Sequence, residues 1–118
     1  SHGGQVVFNA TASFTLDPSD SGKIFILKDA AITVTLPTLS TSIAGFQVKL
    51  ISGDGNNHVI AGGNSLIYGQ IGDFANANFE RIAAASGYTL TNGEIGDWFE
   101  LISDGTNWYI SGLTDNGA

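Results

Sequence analysis

The sequence predicts an all-β domain, an antiparallel β-sandwich or a jelly-roll-like arrangement. Three observations carry that expectation. Apolar and polar residues alternate with period 2 through most of the chain. Turn chemistry built from Gly, Asn, Asp and Pro breaks the alternation every ~8–12 residues, which spaces out about nine short strands. Only one segment has a composition that also suits a helix. The 118 residues fit a single domain, placed at residues 5–113. Ser1-His2-Gly3-Gly4 reads as a tag remnant, and residues 114–118 read as a polar, flexible tail.

Taken in order, Val6, Phe8, Ala10, Ala12, Phe14 and Leu16 share one parity, with mostly polar residues on the other. That pattern gives one half-buried strand or two strands joined by a bend. Asp17-Pro18-Ser19-Asp20-Ser21-Gly22 is a turn, because Pro fixes φ and Gly permits the left-handed region. Ile24-Phe25-Ile26-Leu27 is apolar on both parities, so this strand is expected to be covered on both faces. Ile32, Val34 and Leu36 alternate with Thr33 and Thr35 until Pro37 ends the strand. Phe46, Val48 and Leu50 alternate with Gln47 and Lys49, and residues 52–57 form a loop. His58-Val59-Ile60 and Ser65-Leu66-Ile67-Tyr68 are short strands expected to form a hairpin around Gly62-Gly63-Asn64. Residues 69–78 look like loop. Phe79–Ser86 is rich in Ala and allows a helical turn, but Gly87 and Tyr88-Thr89-Leu90-Thr91 favour strand. Asp104-Gly105 is a two-residue turn signal between two apolar runs. With that turn, Ser103 opposes Thr106, Leu101 opposes Trp108 and Phe99 opposes Ile110. One face of this hairpin then holds Phe99, Leu101, Trp108 and Ile110 in the core. The other holds Trp98, Glu100, Ile102, Tyr109 and Ser111.

The run from Gly96 through Asp97, Leu101, Ser103-Asp104-Gly105-Thr106-Asn107-Trp108-Tyr109 to Ile110 resembles a pattern common near the ends of domains in bacteriophage tail fibres and other virion fibre proteins. Thr33-Val34-Thr35-Leu36-Pro37 followed by Ala44-Gly45-Phe46-Gln47-Val48-Lys49 looks like the companion element of that pattern. Together they span about residues 32–112, most of the chain. The resemblance implies a β module of a trimeric fibre, located in the virion at or near the part that contacts a bacterial surface glycan or protein receptor. A second reading, a free-standing carbohydrate-binding or adhesin module, fits the same residues. Self-association also agrees with the residue pattern, because the apolar second faces of Ile24–Leu27 and of the last hairpin exceed what one sandwich interior can hide; the pattern fits a dimer equally well, and the threefold symmetry is what the resemblance implies. The expected subunit interface is Trp98, Glu100, Ile102 and Tyr109.

Composition narrows the function further. The formal charge is -7, with four basic residues against eleven acids, so nucleic acid and anionic membrane surfaces are repelled. No apolar run approaches the ~18 residues of a membrane-spanning helix, and no membrane insertion is expected. Charged residues make up 13% of the chain and there is no Cys, which excludes disulfides and thiol chemistry. The acids sit mainly in turns. Glu100 is mid-strand and reads as an interface or surface acid, so no enzyme activity is expected. Asp54-Gly55-Asn56-Asn57 offers oxygen ligands but lacks the later acid of a calcium loop. No metal, iron-binding His-x-His or cofactor site is expected. Sugar recognition suits the aromatics and amides, because rings stack on sugar faces and amides bond hydroxyls. The candidate ligand-binding residues are Asn56, Asn57, His58, Tyr68 and Asn92.

Overall fold

The computed structural model describes residues 6–74, 77–91 and 93–115. Among these residues the chain forms eleven strands: β1 (Val7–Ala10), β2 (Phe14–Thr15), β3 (Ile24–Leu27), β4 (Thr33–Thr35), β5 (Gln47–Ser52), β6 (Val59–Ala61), β7 (Ile67–Asp73), β8 (Asn78–Ala85), β9 (Tyr88–Thr89), β10 (Trp98–Ser103) and β11 (Trp108–Thr114). They make a seven-stranded sheet in the order β1-β3-β5-β10-β11-β7-β8 and a four-stranded sheet in the order β2-β4-β6-β9. One apolar core draws on both sheets: Phe25, Leu50, Leu101 and Ile110 from the large one, Val34, Ile60 and Tyr88 from the small one. The all-β expectation therefore holds.

Strictly antiparallel pairing does not hold, because both sheets are mixed. From β1 to β6 the chain alternates between sheets, and each strand lies parallel to the one two earlier. A chain that crosses to the other sheet before returning re-enters in its original direction, which is the condition for parallel pairing. The winding stacks like on like. Phe8 lies beside Phe25 and Phe25 beside Leu50, while Val34 lies beside Phe14 and Ile60. The bend between β1 and β2 resolves the long alternation of residues 6–16 into two strands. Ser13 Oγ anchors that bend by accepting from Thr33 N at 2.9 Å. The Asp17–Gly22 turn is closed reciprocally: Asp17 Oδ2 accepts from Ser19 N at 2.9 Å and Asp20 Oδ2 from Asp17 N at 2.8 Å.

Several local expectations are corrected. The segments around Gly62-Gly63-Asn64 do not form a hairpin, since β6 and β7 belong to different sheets. The corner instead carries Asn64 and Ser65 at φ 51° and 61°, and Gly63 N donates to Ser86 O at 2.8 Å. Residues 69–73, expected as loop, complete β7, whose glycines hide its strand pattern. The last hairpin closes on four residues rather than two, so Ser103 pairs with Trp108, Leu101 with Ile110 and Phe99 with Gly112. Asp104 Oδ1 accepts from both Thr106 N and Asn107 N, which favours the wider loop. A two-residue shift preserves parity, so the face assignment survives. Ile24 and Ile26 are only half-buried, so within the protomer β3 is covered on one face, not two. Thr114, expected in the tail, is the buried last residue of β11.

Candidate functional site

The face of the seven-stranded sheet that points away from the core is the most unusual surface of the protein. Strand register sorts its side chains into three rows running across the strands. The first row reads Ile24, Lys49, Glu100, Ser111, Gln70, Arg81. The second reads Ile26, Ile51, Trp98, Leu113, Gly72, Phe79. The third reads Gln47, Ile102, Tyr109, Tyr68. One mostly charged and polar row therefore lies between an apolar row and a row that holds two tyrosines and an isoleucine. Ile102, Tyr109 and Leu113 are 40%, 44% and 44% exposed, and Phe79 is 75% exposed. Among the described residues, nothing covers them.

All four residues expected at a subunit interface fall on this face, on the adjacent strands β10 and β11. Trp98 is half-buried beneath the Lys49 ammonium, which stands 4.8 Å from the ring centre. Such a contact is favourable through the ring quadrupole. Lys49 also opposes Glu100 in register. Tyr109 donates its hydroxyl to Asp104 Oδ2 at 3.0 Å, which fixes the ring over the hairpin loop. The amide donors of Asn107 and Thr106, helped by that hydroxyl, hold the Asp104 carboxyl below its ordinary pKa.

The five expected ligand-binding residues are not brought together. Tyr68 joins the outer face beside Tyr109. Asn92 lies outside the described residues. Asn56, Asn57 and His58 sit on the loop before β6, and His58 is buried there. Its Nδ1 accepts from Ile32 N at 3.1 Å, which places the ring proton on Nε2, and Nε2 donates to Asp54 Oδ1 at 2.9 Å. Asp54 also accepts from Asn56 N, Asn56 Nδ2 and Asp29 N. Partial burial raises the Asp54 pKa, but the hydrogen bonds from Asn56, Asp29 and His58 outweigh it, so the net shift is downward. The His58–Asp54 pair thus ties the 29–32 segment to the 54–58 loop. With both ring nitrogens occupied, His58 acts as a strut. Among the described residues no group of three or more His, Asp or Glu side chains is arranged to hold a metal ion.

Sequence reasoning missed the β7–β8 end of the outer face. Gln70, Gly72, Phe79, Arg81, Ser111 and Leu113 converge there, beside Trp98, around a trough of about 550 Å³. The available signal was that Gln70 and Gly72, in a segment read as loop, continue the parity of Tyr68 in the strand before it. In comparisons with known proteins, no family model and no curated sequence matches this chain.

Proposed function

We propose that this chain is a non-catalytic module of a virion fibre, assembled as a homotrimer, that takes part in attachment to a cell-surface glycan or other surface ligand. The observation that carries the reading is the uncovered outer face of the seven-stranded sheet. Its apolar row runs in register across β3, β5, β10 and β11, with Ile102, Tyr109 and Tyr68 in register on β10, β11 and β7, and a water-exposed protomer gains nothing from them. Symmetric association buries such a face with the same residues on every copy. The fibre-like sequence run from Gly96 to Ile110 supplies β10 and the start of β11, the strands at the centre of that face. Three copies on one fibre also multiply weak surface contacts into firm attachment.

Analytical ultracentrifugation tests the assembly. The wild-type chain is expected to sediment as a trimer. Trp98→Ala is expected to shift it towards the protomer while the protomer keeps its cooperative melt. A Trp98→Ala variant that stays native in size and in thermal stability would refute the interface. A wild-type protein that is monomeric throughout would instead favour the free-standing carbohydrate-binding reading.

A further inference from the structure

We infer that the His58–Asp54 pair is an acid-sensitive fastening, and that protonation of His58 unpins the crossing at residues 28–32 from one end of the sandwich. The inference goes beyond surface attachment and uses none of the residues on the outer face.

The crossing leads from β3 in the large sheet to β4 in the small one. One side-chain pair holds it at two points. Asp29 N donates to Asp54 Oδ2 at 2.7 Å, and Ile32 N donates to His58 Nδ1 at 3.1 Å. The pair itself is joined by His58 Nε2 and Asp54 Oδ1 at 2.9 Å. Between the two points Ala30 and Ala31 are exposed. Asp29 is held at φ 74°, a left-handed conformation that favours glycine and persists where the surroundings enforce it. The fastening is therefore set against a strained backbone.

The Ile32 bond depends on the lone pair at Nδ1, which only the neutral ring has. A proton there sets two N–H groups against each other. His58 and Ile32 are 2% and 1% exposed, so solvent does not take over as acceptor. A half turn of the ring offers no escape, because it would aim carbon atoms at both partners. The cation does keep Asp54, since Nε2 still donates to the carboxylate, now as an ion pair. The 53–58 loop thus retains the ring, and the loss falls on Ile32.

Three segments pack around the ring: the crossing, the 53–57 loop and residues 90–97, whose Leu90 N donates to His58 O at 2.9 Å. Their charged side chains are Lys28, Asp29, Asp54, Glu94 and Asp97. Of these, Asp54 is the one bonded to the ring, while the Asp97 carboxylate accepts from Glu94 N and Asp115 N at 2.9 and 3.1 Å. Imidazole is the side chain whose ordinary charge change lies between about pH 5 and 8, so mild acid is the signal. The bonds that join β4 to its neighbours use no ring nitrogen. Mild acid therefore loosens one end of the domain while both sheets stay paired.

The test is a nuclear magnetic resonance titration of the full chain from about pH 8 to about pH 5, reading the ring nitrogens of His58 and the amide protection factors of Ile32, Val59 and Leu90. Protection at Ile32 is expected to fall about tenfold as the ring takes up its proton, with the same midpoint. Val59 N donates to Ile32 O and Leu90 N to His58 O, so both should keep their protection. His58→Asn puts a carbonyl oxygen near the Nδ1 position and cannot titrate, so its Ile32 protection should not change with pH. Asp54→Asn leaves an acceptor for Nε2–H and removes the charge that steadies the cation. Ring protonation and the Ile32 loss should then move together to lower pH. That second variant keeps His58, so it decides the matter even where His58→Asn does not fold. A ring that takes up its proton while Ile32 stays protected would overturn the proposal. The same holds for an Ile32 loss that persists in His58→Asn, or that stays at the wild-type pH in Asp54→Asn. Simultaneous loss at Ile32, Val59 and Leu90, or a ring still neutral at about pH 5, would also refute it.

Discussion

Trp108 fills the core edge-on to Phe46, with ring centres 5.6 Å apart, yet its indole Nε1 has no hydrogen-bond partner among the described residues. Truncation to Ala should cost about 3–5 kcal/mol in denaturant unfolding, as for other buried aromatics. Trp108→Phe should cost clearly less, because it removes an unpaired buried donor that itself costs about 1–3 kcal/mol. Equal losses for the two variants would show that the indole N–H is satisfied in solution. Asp54 illustrates the polar counterpart. Its folded pKa lies below the ordinary value, so the folded chain binds fewer protons than the unfolded one in acid. The associated stability is full above the unfolded carboxylate pKa and is lost as pH falls through the folded value. Asp17 and Asp104, both at the surface, shift in the same direction. Melting temperature is expected to fall from about pH 4 downwards, and Asp54→Asn should flatten that fall without removing it. A variant with the wild-type acid profile would sink the assignment. The core position of Trp108 was legible from parity alone. The role of His58 was not, because its partner is the backbone N–H of Ile32, and nothing in local spacing brings that group close.

Strands were easier to locate than to pair. Period 2 fixes which residues share a face, and it recovered Ile32–Leu36, Phe46–Leu50 and both strands of the last hairpin. It carries no information on direction or neighbour, so the parallel winding of β1 to β6 was invisible. The second part of β7, residues 69–73, escaped because Gly69 and Gly72 interrupt its apolar pattern, although close packing is what demands them. Gly69 adopts φ 150° opposite Ile110, and a Cβ there would run into the Ile110 carbonyl. Gly69→Ala should therefore destabilise by more than about 2 kcal/mol, read by thermal melting. A neutral effect would mean that β7 and β11 are not paired in this register. The Asp104-Gly105 signal announced the hairpin correctly but not its length, since the Asp104 carboxylate satisfies amides two and three residues on and so favours the longer loop.

Across the molecule, sequence pattern disclosed an excess of apolar strand surface, and the sheet order shows where it gathers. The expected interface residues came from one hairpin. Their neighbours on β3, β5, β7 and β8 required the cross-strand register, which joins residues far apart in the chain, such as Ile51 with Trp98 and Gln70 with Ser111. That order has β10 and β11 in the middle of the large sheet, between β5 and β7. A chain ending at Asp97 would leave both flanking strands with open edges and lose Trp108 and Leu101 from the core, so it should be insoluble or unfolded. A soluble, cooperatively melting 1–97 fragment would contradict the central placement. During synthesis the same geometry makes completion a late event. A ribosome releases β5 and β7 long before the two strands that must slot between them, so the nascent polypeptide carries two unzipped, aggregation-prone borders until its last hairpin emerges.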